Sequence, residues 1–169
     1  TGGITMGRSA AWSELNLLAN GHMRVNYIHD SNSAGNRCPA QVNFNGGTLQ
    51  ATTNSTSFVS GVDASFFVHI QAGGVTIDSA GFDLTIPEAL QQGPMGSTGG
   101  LTKTGAGTLT LSGANTYTGA SVVNGGKLVI PTSATGGGVI TVADAGSLGI
   151  TVTAQGATLN ASSVTLGAT

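Results

Sequence analysis

The stretch Leu101-Thr-Lys-Thr-Gly-Ala-Gly-Thr-Leu-Thr-Leu-Ser-Gly-Ala-Asn-Thr-Tyr-Thr-Gly-Ala-Ser-Val-Val-Asn-Gly-Gly-Lys-Leu128 decides how this chain is read. Apolar and polar residues alternate in it, as in Thr108-Leu109-Thr110-Leu111, and glycine-bearing corners separate the alternating runs. A period of two belongs to a strand, because successive side chains leave a strand on opposite faces. The form returns at Gly126-Lys-Leu-Val-Ile130 and at Gly146-Ser-Leu-Gly-Ile150. Leu109 to Leu128 is a step of 19 residues, and Leu128 to Leu148 a step of 20. Short strands repeating at that interval fit the turns of a coiled parallel sheet. Leu109, Leu128 and Leu148 are then expected to stack inward, with Thr108, Lys127 and Ser147 outward at the same level.

Toward the N-terminus the same pattern has longer steps. Leu15 to Leu18 leads through Asn20-Gly21 to Met23 and Val25, and Val42 to Asn45 leads through Gly46-Gly47 to Leu49 and Ala51. Val68-His69-Ile70 leads through Gly73-Gly74 to Val75 and Ile77. Met23 to Leu49 is 26 residues and Leu49 to Ile77 is 28. Asn20-Gly21, Asn45-Gly46 and Asn124-Gly125 fall where corners are expected, and both residue types tolerate the positive φ that sharp corners need. Such pairs also suit hairpins. The whole chain, 1–169, reads as one all-β segment, a right-handed single-stranded parallel β-helix of roughly eight rungs, about 35–40 Å long. Rungs are irregular over 1–100 and regular over 101–169. Two polar segments, 29–41 and 87–100, are expected to project as loops. Within the second, Pro87 to Gly93 suits one helical turn, with proline first and glycine last. Ser9 to Leu18 also suits a short helix, but Glu14 to Leu18 matches the repeat and is read as a strand.

Composition agrees with strands and narrows function. Charged residues are 7% of the chain, against about 25% in ordinary domains. Glycine is 28 of 169 residues, against a usual share of about 7%. The apolar fraction of 39% supplies a core, which a disordered chain would lack. Five basic residues and a net charge of −2 cannot form the basic stripe that nucleic-acid binding needs. No run of 18 apolar residues spans a membrane as a helix. Thr1 is not an initiator, so a processed chain or a piece of a longer one is expected. Cys38 is the single cysteine and is read as an inert thiol, the alternative being a bond to a second chain.

The run Lys103-Thr-Gly-Ala-Gly-Thr-Leu109, followed by Asn115-Thr-Tyr-Thr-Gly119, resembles the autotransporter passenger-associated β-strand repeat. Asn43 to Ala51 and Ala72 to Asp78 look like stretches that flank it. The resemblance implies a parallel β-helix in a large bacterial protein that is secreted or surface-exposed. It also implies a scaffold element without catalytic residues. The apolar band and aromatic girdles of a membrane barrel are missing from this stretch, which leaves the export route open.

Few residues suggest chemistry. Asp78 and Asp83 are the nearest pair of carboxylates, the type of group that cleaves glycosidic bonds. An aspartate at a glycine corner also serves as a turn cap, and that role is preferred for Asp78. His22, His29 and His69 match no metal-binding spacing, and His29 with Asp30 is the best seed of a site. Gly125-Gly126-Lys127 lacks the following Ser or Thr of a phosphate loop. Asn54-Ser-Thr56 and Asn160-Ala-Ser162 match the glycosylation tripeptide weakly. No catalytic, cofactor-binding or metal residues are therefore assigned. The expected function is an extracellular structural scaffold that self-associates or joins neighbouring repeats, with no enzymatic activity. The alternative is an adhesin-like module that contacts glycans or cell surfaces through 29–41 and 87–100. A polysaccharide-active enzyme using Asp78 and Asp83 is the remote alternative.

Overall fold

The computed structural model describes residues 2–6, 12–31, 39–94 and 96–168. Among them every regular element is a strand, and the strands follow one another in turns. The first turn holds β1 (Ile4–Met6), β2 (Ser13–Leu18) and β3 (His22–Val25); the second holds β4 (Ile28–Asp30), β5 (Ala40–Asn45) and β6 (Thr48–Ala51). The third holds β7 (Val59–Ser60), β8 (Phe66–Ile70) and β9 (Val75–Asp78); the fourth holds β10 (Leu84–Ile86), β11 (Leu90–Gln92) and β12 (Leu101–Thr104). After that each turn has two strands: β13 (Thr108–Leu111) and β14 (Ser121–Val123), β15 (Gly126–Pro131) and β16 (Gly137–Ala143), β17 (Gly146–Thr151) and β18 (Ala161–Ala168).

Each strand pairs in parallel with its counterpart one turn away. The tallest face stacks seven strands in the order β18-β16-β14-β12-β9-β6-β3. A second face stacks β11-β8-β5-β2. The third face is β1-β4-β7, which passes into β10-β13-β15-β17 through Ser55–Phe58. The chain is therefore the parallel solenoid that the repeat predicts, and the described residues make seven turns where roughly eight are expected.

The expected ladders form, but on different faces. Leu109, Leu128 and Leu148 are register partners on the third face, with Leu84 beneath them. Thr108, Lys127 and Ser147 are partners beside them. Met23, Leu49 and Ile77 are partners on the tallest face. Loss of the second-face strand explains why the step shortens. From the fifth turn that side is covered by a segment outside any strand, 114–120, which hydrogen-bonds the neighbouring turns through Thr116 N–H to Leu90 O and Thr135 N–H to Asn115 O, and in which buried Asn115, Tyr117 and Gly119 alternate with exposed residues. Asn115 does the work of a strand edge there: its Oδ1 accepts Leu90 N–H at 2.9 Å, and its Nδ2 donates to Gly113 O. The Tyr117 hydroxyl meets Ser121 Oγ at 2.7 Å, so the buried phenol keeps its polar partner.

Two sequence expectations are corrected. The 87–100 segment is not one loop, and Pro87 to Gly93 forms no helical turn. β11 lies inside it, with Leu90 fully buried opposite Val68. Burial of Leu90 in the second-face column outweighs the local proline and glycine signals. The 29–41 segment begins and ends inside β4 and β5, which leaves 31–39 between strands. Cys38, and with it the question of its thiol, falls outside the described residues.

Corners use positive φ as expected: within the pair at Asn20-Gly21 and at Asn45-Gly46 (Gly46, φ 103), and one residue later at the third. Asn20 (φ 63) takes it, where Asn20-Gly21 was expected to turn. In Asn124-Gly125-Gly126 it is Gly126 (φ 66). Gly105 (φ 72) also stands so close to the preceding turn that a Cβ would lie 2.3 Å from Asp78 Oδ1. Gly81 (φ 94) has the same handedness with open space around it. Gly81→Ala is expected to cost about 1–2 kcal/mol, the backbone penalty alone. Gly105→Ala adds the displacement of Asp78, about 1–3 kcal/mol more. Urea unfolding of both variants measures this; equal losses would show that close approach at Gly105 is unimportant.

Candidate functional site

Lys103 is the unusual residue of the solenoid. It follows Leu101 by two in β12, so the strand alternation points it inward. Its column partners are Ile77 and Val123, and it is 0% exposed. A buried ammonium must satisfy three N–H donors and has no acceptor. Its Nζ donates to Thr104 O and Gly105 O at 2.7 Å each, and to Gly125 O at 3.1 Å. Gly105 and Gly125 belong to corners one turn apart, so the ammonium ties successive turns together. Burial pulls its pKa down from 10.5 to about 8, and the Asp78 carboxylate opposes that by favouring the charged form. The sequence signal for this role was available, since Leu101 and Lys103 share a strand face.

Asp78 and Asp83 serve different corners. Asp78 Oδ1 accepts Ala80 N–H at 2.9 Å, and its Oδ2 accepts Gln50 Nε2–H at 2.6 Å. Asp83 Oδ1 accepts Thr108 N–H from the next turn at 2.8 Å. β4 sends His29 and Asp30 to opposite faces. His29 Nδ1 lies 2.9 Å from Ser60 Oγ on the outside, and Asp30 is buried inside. His22 lies outward on β3, opposite Thr48. No group of three or more metal-ligating side chains gathers among the described residues.

A network missed by the sequence reading lies on the outside of the second face. Asn16, Asn43, His69 and Gln91 are register neighbours there. Asn43 Nδ2 donates to Glu14 Oε1 at 2.6 Å and to Asn16 Oδ1 at 3.0 Å; its Oδ1 lies 3.2 Å from His69 Nδ1. The His69 ring stacks on Phe67, and burial lowers its pKa. The common outward position of Asn16, Asn43 and His69 one turn apart was the sequence signal for this ladder.

In the last described turn several inward positions are uncovered. Val164 and Leu166 pair in register with Ile140 and Val142 and so continue the inward columns. They are nevertheless 47% and 69% exposed. Ile150, the partner of Ile130, is also exposed. With Leu148 and Leu159 these side chains line a hollow of about 560 Å³.

Residues 101–130 match the family described as the passenger-associated-transport-repeat. This is the autotransporter passenger repeat that the same residues resemble in sequence, and Lys103, Gly105, Asn115, Tyr117 and Gly126 all lie inside the match. No curated protein and no solved structure gives a significant match to the chain.

The Lys103 corner has two measurable consequences. The pKa falls on folding, so between about pH 8 and pH 10.5 the unfolded chain holds a proton that the folded chain has released. Stability must therefore rise with pH through that window. Lys103→Met keeps the buried stem but leaves the carbonyls without donors, and is expected to lose about 1–3 kcal/mol at neutral pH. Urea unfolding at pH 7, 8, 9 and 10 checks both; a Lys103→Met variant that keeps the wild-type rise would refute the assignment.

Proposed function

We propose that the chain is a non-catalytic structural segment of a secreted or surface-displayed β-solenoid, and that its ends accept further turns. The exposed inward positions of the last described turn carry this reading. Val164 and Leu166 stand in register with buried columns and lack only a covering strand. An uncovered parallel edge presents backbone groups and apolar side chains at the spacing another turn would supply. The covering turn can come from adjoining repeats of the same protein or from a second copy. Contact between the C-terminal end of one copy and the N-terminal end of the next is heterologous and does not close, so it builds rods. The seven acidic and five basic residues of the chain offer little repulsion against such stacking.

The commitment of Asp78 and Asp83 to backbone amides supports a scaffold over an enzyme. The passenger repeat, which belongs to exported proteins, supports a place outside the cell.

Light scattering of the isolated chain over a range of concentrations tests the end contact. Mass is expected to grow with concentration, and electron microscopy is expected to show rods one solenoid wide. Leu166→Asp places a charge in the uncovered column and should hold the chain monomeric. A monodisperse wild-type monomer at high concentration would remove self-association.

A further inference from the structure

The third face changes its character where Ser55–Phe58 joins its two sheets. Ser55 N–H donates to Asp83 O, Thr85 N–H to Ser55 O, and Phe58 N–H to Thr85 O. Phe58 is fully buried and anchors the segment inward. Asn54, Ser55 and Thr56 line two adjoining hollows. One, of about 490 Å³, has Asp83, Thr85, Thr108 and Thr110 along it. The other, of about 400 Å³, has Thr5, Tyr27, His29, Ser57 and Ser60. Both share these three residues, so they adjoin as one shallow trough on the third face. From Thr5 in β1 to Thr110 in β13 it crosses four inter-strand steps, about 19 Å.

The lining has a distinct chemistry. It is made of hydroxyls, the one amide of Asn54, one imidazole and one phenol ring, with the edge of Leu84 beside them, and no lysine or arginine lines it among the described residues. Its single carboxylate, Asp83, already holds Thr108 N–H. An anionic ligand would find no countercharge there, and a cation would find no convergent acceptors. A peptide strand would find no free edge at β10, which pairs with β13 on one side and with Ser55–Phe58 on the other. A ligand rich in neutral hydroxyls suits what remains. Tyr27 supplies a partly apolar ring beside the polar groups, and the ring is seated on the backbone of Gly3, where a Cβ would lie 2.2 Å away. His29 and Ser60 hold each other in place. The Asn54 side chain is oriented by Asp83 N–H, which its Oδ1 accepts at 2.9 Å. The groups are thus carried by paired strands and fixed by neighbours, as a preorganised site requires.

We propose that this trough binds neutral oligosaccharides. The ligand chain lies along the rod axis, with one sugar ring on Tyr27 and others reached by the hydroxyls of Thr85 and Thr110. The site is separate from the last described turn, so its failure would leave the scaffold reading intact.

Binding of the chain to immobilised maltohexaose, cellohexaose, mannohexaose and chitohexaose, with dextran sulfate as the charged comparison, tests the proposal. At least one neutral hexasaccharide is expected to bind, and dextran sulfate is not. Tyr27→Ala should weaken binding about tenfold, and the paired substitution Thr85→Val with Thr110→Val by a similar factor, the loss expected for hydrogen bonds. Valine keeps the size of threonine on an outward strand position, so the second variant remains informative if Tyr27→Ala does not fold. Thr102→Val, on the tallest face, should bind as the wild type does. Absence of binding to every neutral sugar, preference for dextran sulfate, or equal loss in Thr102→Val would overturn the proposal.

Discussion

In-register stacking of one turn on the next is the interaction on which the structure depends. Each turn alone is a short loop of chain with apolar side chains on one side of each strand. It buries them only when a neighbouring turn covers them. Backbone pairing sets the separation between turns, and the register keeps like positions in columns. Leu84, Leu109, Leu128 and Leu148 show the result on one face. The exposed Val164 and Leu166 show the cost at the end of a column.

The corners meet the second constraint. A rod of this kind must reverse direction within a few residues without leaving carbonyls orphaned. Gly105 and Gly126 supply the backbone freedom, and Lys103 supplies donors where the backbone has none to give. A charged residue inside an apolar column is tolerable because every donor is used. Asn115 and Tyr117 solve a related problem in the same repeat, closing a side of the rod with side-chain hydrogen bonds in place of a strand. The residues that make the passenger repeat recognisable are therefore the ones that fix a corner and a side.

Much of this was legible in the sequence. Period-two alternation identified the strands, and steps of 26, 28, 19 and 20 residues identified register partners that the structure pairs. The sequence did not reveal that the longer and shorter steps trace different faces. That assignment depends on how the chain winds, which Met23 and Leu109 cannot express locally. β11 was hidden for a similar reason: Pro87 and Gly93 signal a break, while the burial of Leu90 against Val68 is a property of the stack. The buried role of Lys103 was readable from its spacing to Leu101, though lysine is almost never wholly buried. The trough was illegible, because Tyr27, Asn54 and Thr110 meet only through the winding.

The column on the outside of the tallest face offers the most direct test of the stacking. His22, Thr48, Thr76, Thr102, Val122, Thr141 and Thr165 are successive register partners. Spin labels on cysteines at Thr165 and, in turn, at Thr76, Thr48 and His22, in a Cys38→Ser background, give distances by pulsed electron paramagnetic resonance. The stack predicts narrow distributions near 19, 24 and 29 Å, increasing by about 4.8 Å per turn. Distances that do not grow by one strand spacing per turn, or broad distributions at all three positions, would contradict it.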